Sequence, residues 1–386
     1  MKHIILFACM LALSAGLLAQ NDSLNWNSYV HPLVIKGDSQ FMSFEPLDSV
    51  VPEFSFFFTG EEHRKKINTQ LQLNFLLYLH QMAGVRNLIV EGGYSYGYLL
   101  NSYVQSGNER ILDKALAVAP ICPDNMRAMY QRIYAFNQKL EEKDRIKVMG
   151  IDLEHSPELA LQVLHSKIPT EEIPKKIRKA LNTAIELHES PFIDDRRVER
   201  MFKRLAKDVR KKKDIYQAFL KDDFPYFELI VNNTVAGYNF NWISIALAPR
   251  TWKVREDQMY QNFLVVQNEL RKGGCYAQFG ALHTQLAKGI RWEFPTIARQ
   301  LNEKTTSPVQ GKVMAITRYL RNFQDEYDTW EEEDALKEMI TFVKKTYPDR
   351  VVLCRLQGDN SPFEKISKAF QYMIYIDEDL EEVRCK

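Results

Sequence analysis

The sequence predicts an α/β fold: a mostly parallel sheet flanked by helices, carrying an all-helical insertion. Three observations predict it. First, seven short apolar runs are spread along the chain, at 54–59 (FSFFFT), 87–91 (NLIVE), 146–152 (IKVMGID), 275–280 (CYAQFG), 312–317 (KVMAIT), 351–356 (VVLCRL) and 372–376 (YMIYI). Apolar runs without alternation mark strands buried on both faces, as in a parallel sheet covered by helices. Second, helical stretches alternate with several of these runs, which is the pattern of right-handed βαβ units. Third, residues 157–250 show helical periodicity and no strand-like run, so they form the insertion.

The elements follow in chain order. Lys2 and His3 precede an apolar stretch over 4–18, and Leu17-Leu18-Ala19 offers small-residue cleavage before Gln20. This is the pattern of an export signal over 1–19, leaving one α/β domain over 20–386 with its insertion at about 157–250. The apolar stretch is shorter than the roughly 20 residues that span a bilayer, and no later run approaches that length. Between the first two strands, Leu71, Phe75, Tyr78, Leu79 and Met82 recur at helical spacing, so 67–83 is a helix stopped at Gly84. Residues 196–213 (RRVERMFKRLAKDVRKKK) are strongly basic, with Val198, Met201, Phe202 and Leu205 on one face. They are expected to form an amphipathic helix with a solvated charged face. The acidic run 331–334 reads as a helix start.

Composition narrows the function. The chain is 45% hydrophobic and 12% aromatic, ample for a large core. Without residues 1–19, cationic and anionic side chains are equal in number. Such a chain has no global field to gather nucleic acid or anionic lipid. The expected partner is a small-molecule substrate, in a periplasmic or secreted setting, with neither nucleic acid nor membrane bound after the signal is removed. Cys122, Cys275, Cys354 and Cys385 are too few for a disulfide framework, and the two next to strands, Cys275 and Cys354, read as buried free thiols.

In α/β sheets, sites form beyond the carboxyl ends of the strands. The first strand runs into Gly60-Glu61-Glu62-His63, the second ends in Glu91-Gly92-Gly93, and the third ends in Asp152. The run at 275–280 leads into Ala281-Leu282-His283, and a helical stretch at 253–263 (KVREDQMYQNF) opens with Arg255, Glu256 and Asp257. Carboxylates, histidines and an arginine thus fall at matching topological positions. A histidine oriented by a carboxylate suits general-base work, and a nearby arginine suits an oxyanion. Glu91 has a simpler use available, as the ion-pair partner of Arg255. A rival pattern is present too. Gly93-Tyr94-Ser95-Tyr96-Gly97 spells the nucleophile elbow of α/β-hydrolases, with Asp152 or Asp257 and His283 able to complete a triad. No glycine-rich oxyanion loop precedes it, so Ser95 is read instead as a helix N-cap. Phosphate-loop and dinucleotide signatures are missing.

These residues resemble the erythromycin esterase-like family. FEPLD followed by FSFFFTGEEH is similar to its opening: a P-L pair, a strand, then G-E with a nearby histidine. NLIVEGGYSYGYLLNSYVQSG resembles its second strand and following helix, VMGIDL its G-x-D strand, VREDQMYQNF its R-D-x-x-M-x-x-N helix, and FGALHT its strand-to-histidine element. The likeness runs in order over roughly residues 44–290. It implies an α/β core with a helical insertion, hydrolysing an ester or related acyl bond by histidine-activated water and needing no cofactor. His63 looks like the base, Glu61 and Glu91 its acidic partners, and Arg255 and His283 the groups that bind substrate or developing negative charge. Two positions depart from the pattern. One residue rather than two separates Glu61 from His63, and Arg64 stands where the pattern has glycine. The shorter spacing is closer to Tiki-type metalloproteases and haem-binding uptake proteins. It motivates two alternatives: a metal-dependent hydrolase or peptidase, with a divalent metal on Glu61, His63 and Glu91, and a catalytically silent small-ligand binding protein.

Overall fold

Eight strands form one sheet in the computed structural model, which describes residues 24–33, 44–118, 122–190, 194–240, 249–287, 294–319, 333–348 and 350–376. They are β1 (Val30–Leu33), β2 (Phe56–Glu61), β3 (Val85–Gly93), β4 (Lys147–Asp152), β5 (Gly274–Gly280), β6 (Val313–Arg318), β7 (Val351–Arg355) and β8 (Tyr372–Ile376). Their order is β1-β7-β8-β6-β2-β5-β3-β4. The run from β8 to β4 is parallel throughout, and β7 is antiparallel to both β8 and β1. The sheet is therefore mostly parallel. Phe56, Phe57 and Phe58 on β2 and Leu88 and Ile89 on β3 are fully buried, as expected of strands covered on both faces.

All seven apolar runs are strands, with ends shifted by at most two residues. The exception is β1, an edge strand the sequence did not reveal. Its four residues include His31 and Pro32, and proline is tolerated only where no ladder N–H is required. Nor does apolar content disclose strand direction, so the reversal of β7 is a tertiary fact.

Helix α1 (Ile67–Met82) follows β2 and ends where Gly84 takes φ +65°. Helices α2 (Tyr94–Ser106), α3 (Glu109–Leu116) and α4 (Pro123–Asn137) lie between β3 and β4. After β4 come α5 (Pro157–Ser166), α6 (Lys175–Glu189), α7 (Asp195–Lys211), α8 (Lys213–Leu220) and α9 (Phe224–Asn239). Among the described residues no strand interrupts them. On α7 the apolar residues Val198, Met201, Phe202 and Leu205 are buried, which leaves its basic residues outside. Helix α10 (Pro249–Val266) then crosses to β4 and leads to β5. The remaining helices are α11 (Ile297–Glu303), α12 (Asp334–Thr346) and α13 (Ile366–Ala369). Glu333 stands at the N-cap position of α12, and the two residues before it lie outside the described residues, as does the expected export signal at 1–19. Cys275 and Cys354 are buried free thiols, while Cys122 is disulfide-bonded.

Candidate active site

Four adjacent parallel strands, β2, β5, β3 and β4, bring their carboxyl ends into one row. Register does the alignment: Glu61 sits opposite Gly280, Val90 opposite Gln278, and Gly93 opposite Asp152. The β3–β4 pairing slips between Val90 and Gly93, and Glu91 falls inside that irregularity, the kind of break that re-aims a side chain at a strand end. A cleft of about 880 Å³ opens above the row. Glu61, His63, Glu91, Arg255 and His283 all line it. The volume suits a drug-sized organic molecule. Much of the wall is apolar or aromatic, including Tyr96, Met126, Tyr130, Leu159 and Trp252.

His63 stands at the mouth, its side chain 48% exposed. Its Nδ1 is hydrogen-bonded to Glu61 Oε1 at 2.8 Å. The other Glu61 oxygen accepts from Gln278 Nε2 at 2.5 Å, so β5 positions the carboxylate that orients the ring. His63 Nε2 faces Gly280 closely enough that a Cβ there would lie 3.0 Å away. Among the described residues this nitrogen has no protein hydrogen bond. Burial opposes the charged ring, but the Glu61 hydrogen bond and the charges of Glu91 and Glu61 outweigh it, raising the pKa to about 9.

The floor is a buried charge cluster centred on Arg255, which is 3% exposed. Its Nε donates to Asp152 Oδ1 at 3.0 Å, and its Nη2 donates to Asp152 Oδ2 at 2.5 Å and to Glu91 Oε1 at 2.9 Å. Trp252 and Phe240 lie against the guanidinium. Glu91 Oε2 accepts the Gly280 N–H at 2.6 Å. His283 is held through Nδ1 by Glu256, and its Nε2 lies 3.3 Å from Glu91 Oε1. Burial disfavours the charged imidazole, but Glu256 and Glu91 prevail and raise its pKa to about 10. The cationic neighbours His283, His63 and Arg255 hold Glu91 well below the usual carboxylate range despite its burial. Asp152 is likewise kept ionised by Arg255 and His155.

One face of α10 builds this floor. Arg255 reaches β3 and β4, Glu256 also accepts the Ile297 N–H, Met259 is buried, and Asn262 Nδ2 donates to the Ile151 carbonyl at 2.7 Å. The spacing of Arg255, Met259 and Asn262 puts them on one side of the helix.

Arg255 and Glu91 are both engaged with other groups of the protein. Arg255 directs its Nε and Nη2 donors to carboxylates and so organises the floor of the cleft it lines. Glu91 is bonded to Arg255 and Gly280, and reaches His63 through its charge rather than by a hydrogen bond. For the same reason the oxygens proposed for a metal are already engaged. Among the described residues no group of three or more His, Cys, Asp or Glu side chains is disposed to hold a metal ion.

The serine elbow is also explained. Ser95 is fully buried, and its N–H and Oγ both bind Glu154 Oε1, at 2.9 and 3.0 Å. It lies in the first turn of α2, whose N-cap residue is Gly93, so it is neither the cap nor an exposed nucleophile; Glu154 supplies the capping oxygen. The two glycines serve packing. A Cβ on Gly93 would strike Glu154, and one on Gly97 would lie 2.0 Å from the backbone nitrogen of Gly150.

Sequence reasoning passed over Glu154, His155, Gln278 and Trp252, and gave Glu256 no role of its own. Only the placement of Glu154 and His155 directly after the β4 carboxylate Asp152 offered a signal. His155 Nε2 lies 3.0 Å from Asp152 Oδ2. Glu154 is buried beside the cleft, and that burial raises its pKa to about 7.

No protein-family model matches the chain, and no curated protein matches it. Solved structures share its fold. A succinoglycan biosynthesis protein aligns with TM-score 0.63 at 14% identity, over 91% of this chain and 94% of its own. A Bacillus cereus protein aligns with TM-score 0.59 at 14% identity, over 91% and 95%. An erythromycin esterase variant in its open conformation aligns with TM-score 0.59 at 12% identity, over 86% and 92%. At such identities the relationship is distant and one of fold.

Proposed function

We propose that this chain is an exported hydrolase that cleaves an ester or related acyl bond of a small organic molecule, using water activated by His63. The observation that carries the reading is the Glu61–His63 pair at the mouth of the cleft. One ring nitrogen is anchored to a carboxylate, and the other, beside Gly280 in the cleft lining, has no protein hydrogen bond among the described residues. Glu61 fixes the tautomer and raises the basicity of Nε2. In the reaction, Nε2 takes a proton from water as its oxygen attacks the acyl carbon. The imidazolium then returns the proton to the departing alkoxide as the tetrahedral intermediate collapses. Arg255 and His283, the cleft-lining cations of the floor, are the groups assigned to the negative charge that develops on the acyl oxygen, and both are already oriented by carboxylates. The apolar walls exclude water from the rest of the substrate. The fold shared with an erythromycin esterase is compatible with this chemistry and does not specify the substrate.

The test uses a panel of activated esters. His63→Ala should lower kcat by about a hundredfold or more while the circular dichroism spectrum is retained. The working form has a neutral His63, so with a pKa of about 9 the rate should climb as pH rises through 9. Glu61→Gln should move that rise to lower pH, because the carboxylate is what lifts the histidine. Full kcat in His63→Ala would remove His63 as the base. Activity lost to a chelator and restored by manganese, cobalt or zinc would favour the metal-dependent hydrolase at the same site. Binding without turnover, weakened in His63→Ala, would identify a ligand-binding protein.

A further inference from the structure

Away from the cleft, α6 and α7 pack side by side in the helical region after β4, and a groove of about 480 Å³ lies between them. Its floor is apolar, formed by Leu187, Met201 and Leu205. Its rims are cationic on both sides. Lys176 and Lys179 stand on α6, and Arg197, Arg200 and Arg204 stand on α7; all five are exposed. The three arginines are spaced three and four residues apart, which stacks them along one helix face.

The neighbouring charges show what sets these five apart. Arg178 pairs with Glu172, Lys203 with Glu199, and Lys212 with Asp208. Among the described residues the five rim cations have no ion pair or side-chain hydrogen bond. Glu186 and Asp208 also line the groove, and Asp208 is already neutralised by Lys212. A chain with nearly balanced total charge, +1, has thus gathered an excess of positive charge on the two lips of a single concavity, which Glu186 offsets only in part. Like charges brought together from two helices repel and lower stability, a cost relieved when an anion enters.

We propose that this groove is a binding site for an oligophosphate, a ligand bearing several closely spaced phosphate groups. Cations on both lips favour a ligand with more than one anionic group. Three arginines on one rim favour phosphate, since the guanidinium fork pairs with its oxygens two at a time. The concavity favours a compact ligand over a flat anionic surface, which would touch the outer lips and leave the floor empty. The site is independent of the acyl chemistry proposed for the cleft.

Tripolyphosphate is the probe, titrated calorimetrically into the full chain at fixed ionic strength. The expected result is saturable binding with one site per chain. The exposed triple variant Arg197→Gln/Arg200→Gln/Arg204→Gln should bind about tenfold or more weakly with an unchanged melting temperature or a higher one. Orthophosphate at matched ionic strength should not compete. Absence of saturable binding, equal binding by the triple variant, or displacement by orthophosphate would overturn the proposal. So would recruitment to vesicles rich in anionic phospholipid that tripolyphosphate fails to reverse, an outcome that assigns the groove to a membrane surface.

Discussion

Arg64 shows most directly how a single position ties backbone to chemistry. It follows His63 and adopts φ +70°, a left-handed conformation that residues with a Cβ occupy at a cost of about 1–3 kcal/mol. The turn is needed because the chain must leave β2 and swing the His63 ring back onto Glu61, two residues earlier. Glycine stands at this place in the pattern the sequence resembles, and the backbone angle supplies the reason. Arg64→Gly should therefore raise stability by roughly 1 kcal/mol, the relieved strain being partly offset by glycine's larger unfolded-state entropy. Urea denaturation measures it, and an unchanged or lower midpoint would contradict the strain. Gly280 answers a different demand, for room: any side chain there would press on the His63 ring and approach Glu91.

Helix α2 and strand β4 act as one unit. Gly97 lets the helix backbone come down on Met149 and Gly150, and Gly93 leaves space for Glu154, which closes the helix start through Ser95. A pattern that spells a nucleophile elbow is here a close-packing device. The two readings predict opposite mutant behaviour. Ser95→Ala should cost about 1 kcal/mol, because Glu154 keeps the backbone N–H when it loses the hydroxyl, and turnover of any substrate should persist. Gly97→Ala should cost more than about 3 kcal/mol, since its Cβ meets backbone that cannot rotate away. Thermal melts of both variants and a fluorophosphonate labelling experiment check this. Labelling at Ser95, or a more severe stability loss in Ser95→Ala than in Gly97→Ala, would reinstate the elbow.

For the whole molecule, the sheet and the helical region after β4 each form a separate concavity: the row of strand ends builds a cleft, and the helices build a charged groove. Among the described residues no helix is long and apolar enough to cross a membrane. Export is proposed from the leader pattern at 1–19, so protein recovered outside the cytoplasm should begin at or near Gln20. N-terminal sequencing that reads Met1 in that material would remove the proposal.

The amino-acid sequence alone determined the class of fold and seven of the eight described strands, all but the edge strand β1, because burial on both faces demands uninterrupted apolar runs that can be read locally. It also placed Glu61 and Glu91 at strand ends and His63 and His283 in the segments that directly follow strands, since a strand's end is set by where its apolar run stops, while Arg255 is legible as the start of a helical stretch. What only the tertiary structure decided is how those residues divide the work. Whether Arg255 meets a ligand or Asp152, and whether Ser95 faces solvent or Glu154, depends on helices packed from distant parts of the chain. So does the meeting of Lys176 and Lys179 with the arginines of α7, which no local pattern contains. Strand direction at β7 belongs to the same class of fact. Apolar periodicity records how much of an element is buried, and carries no information about which partner buries it.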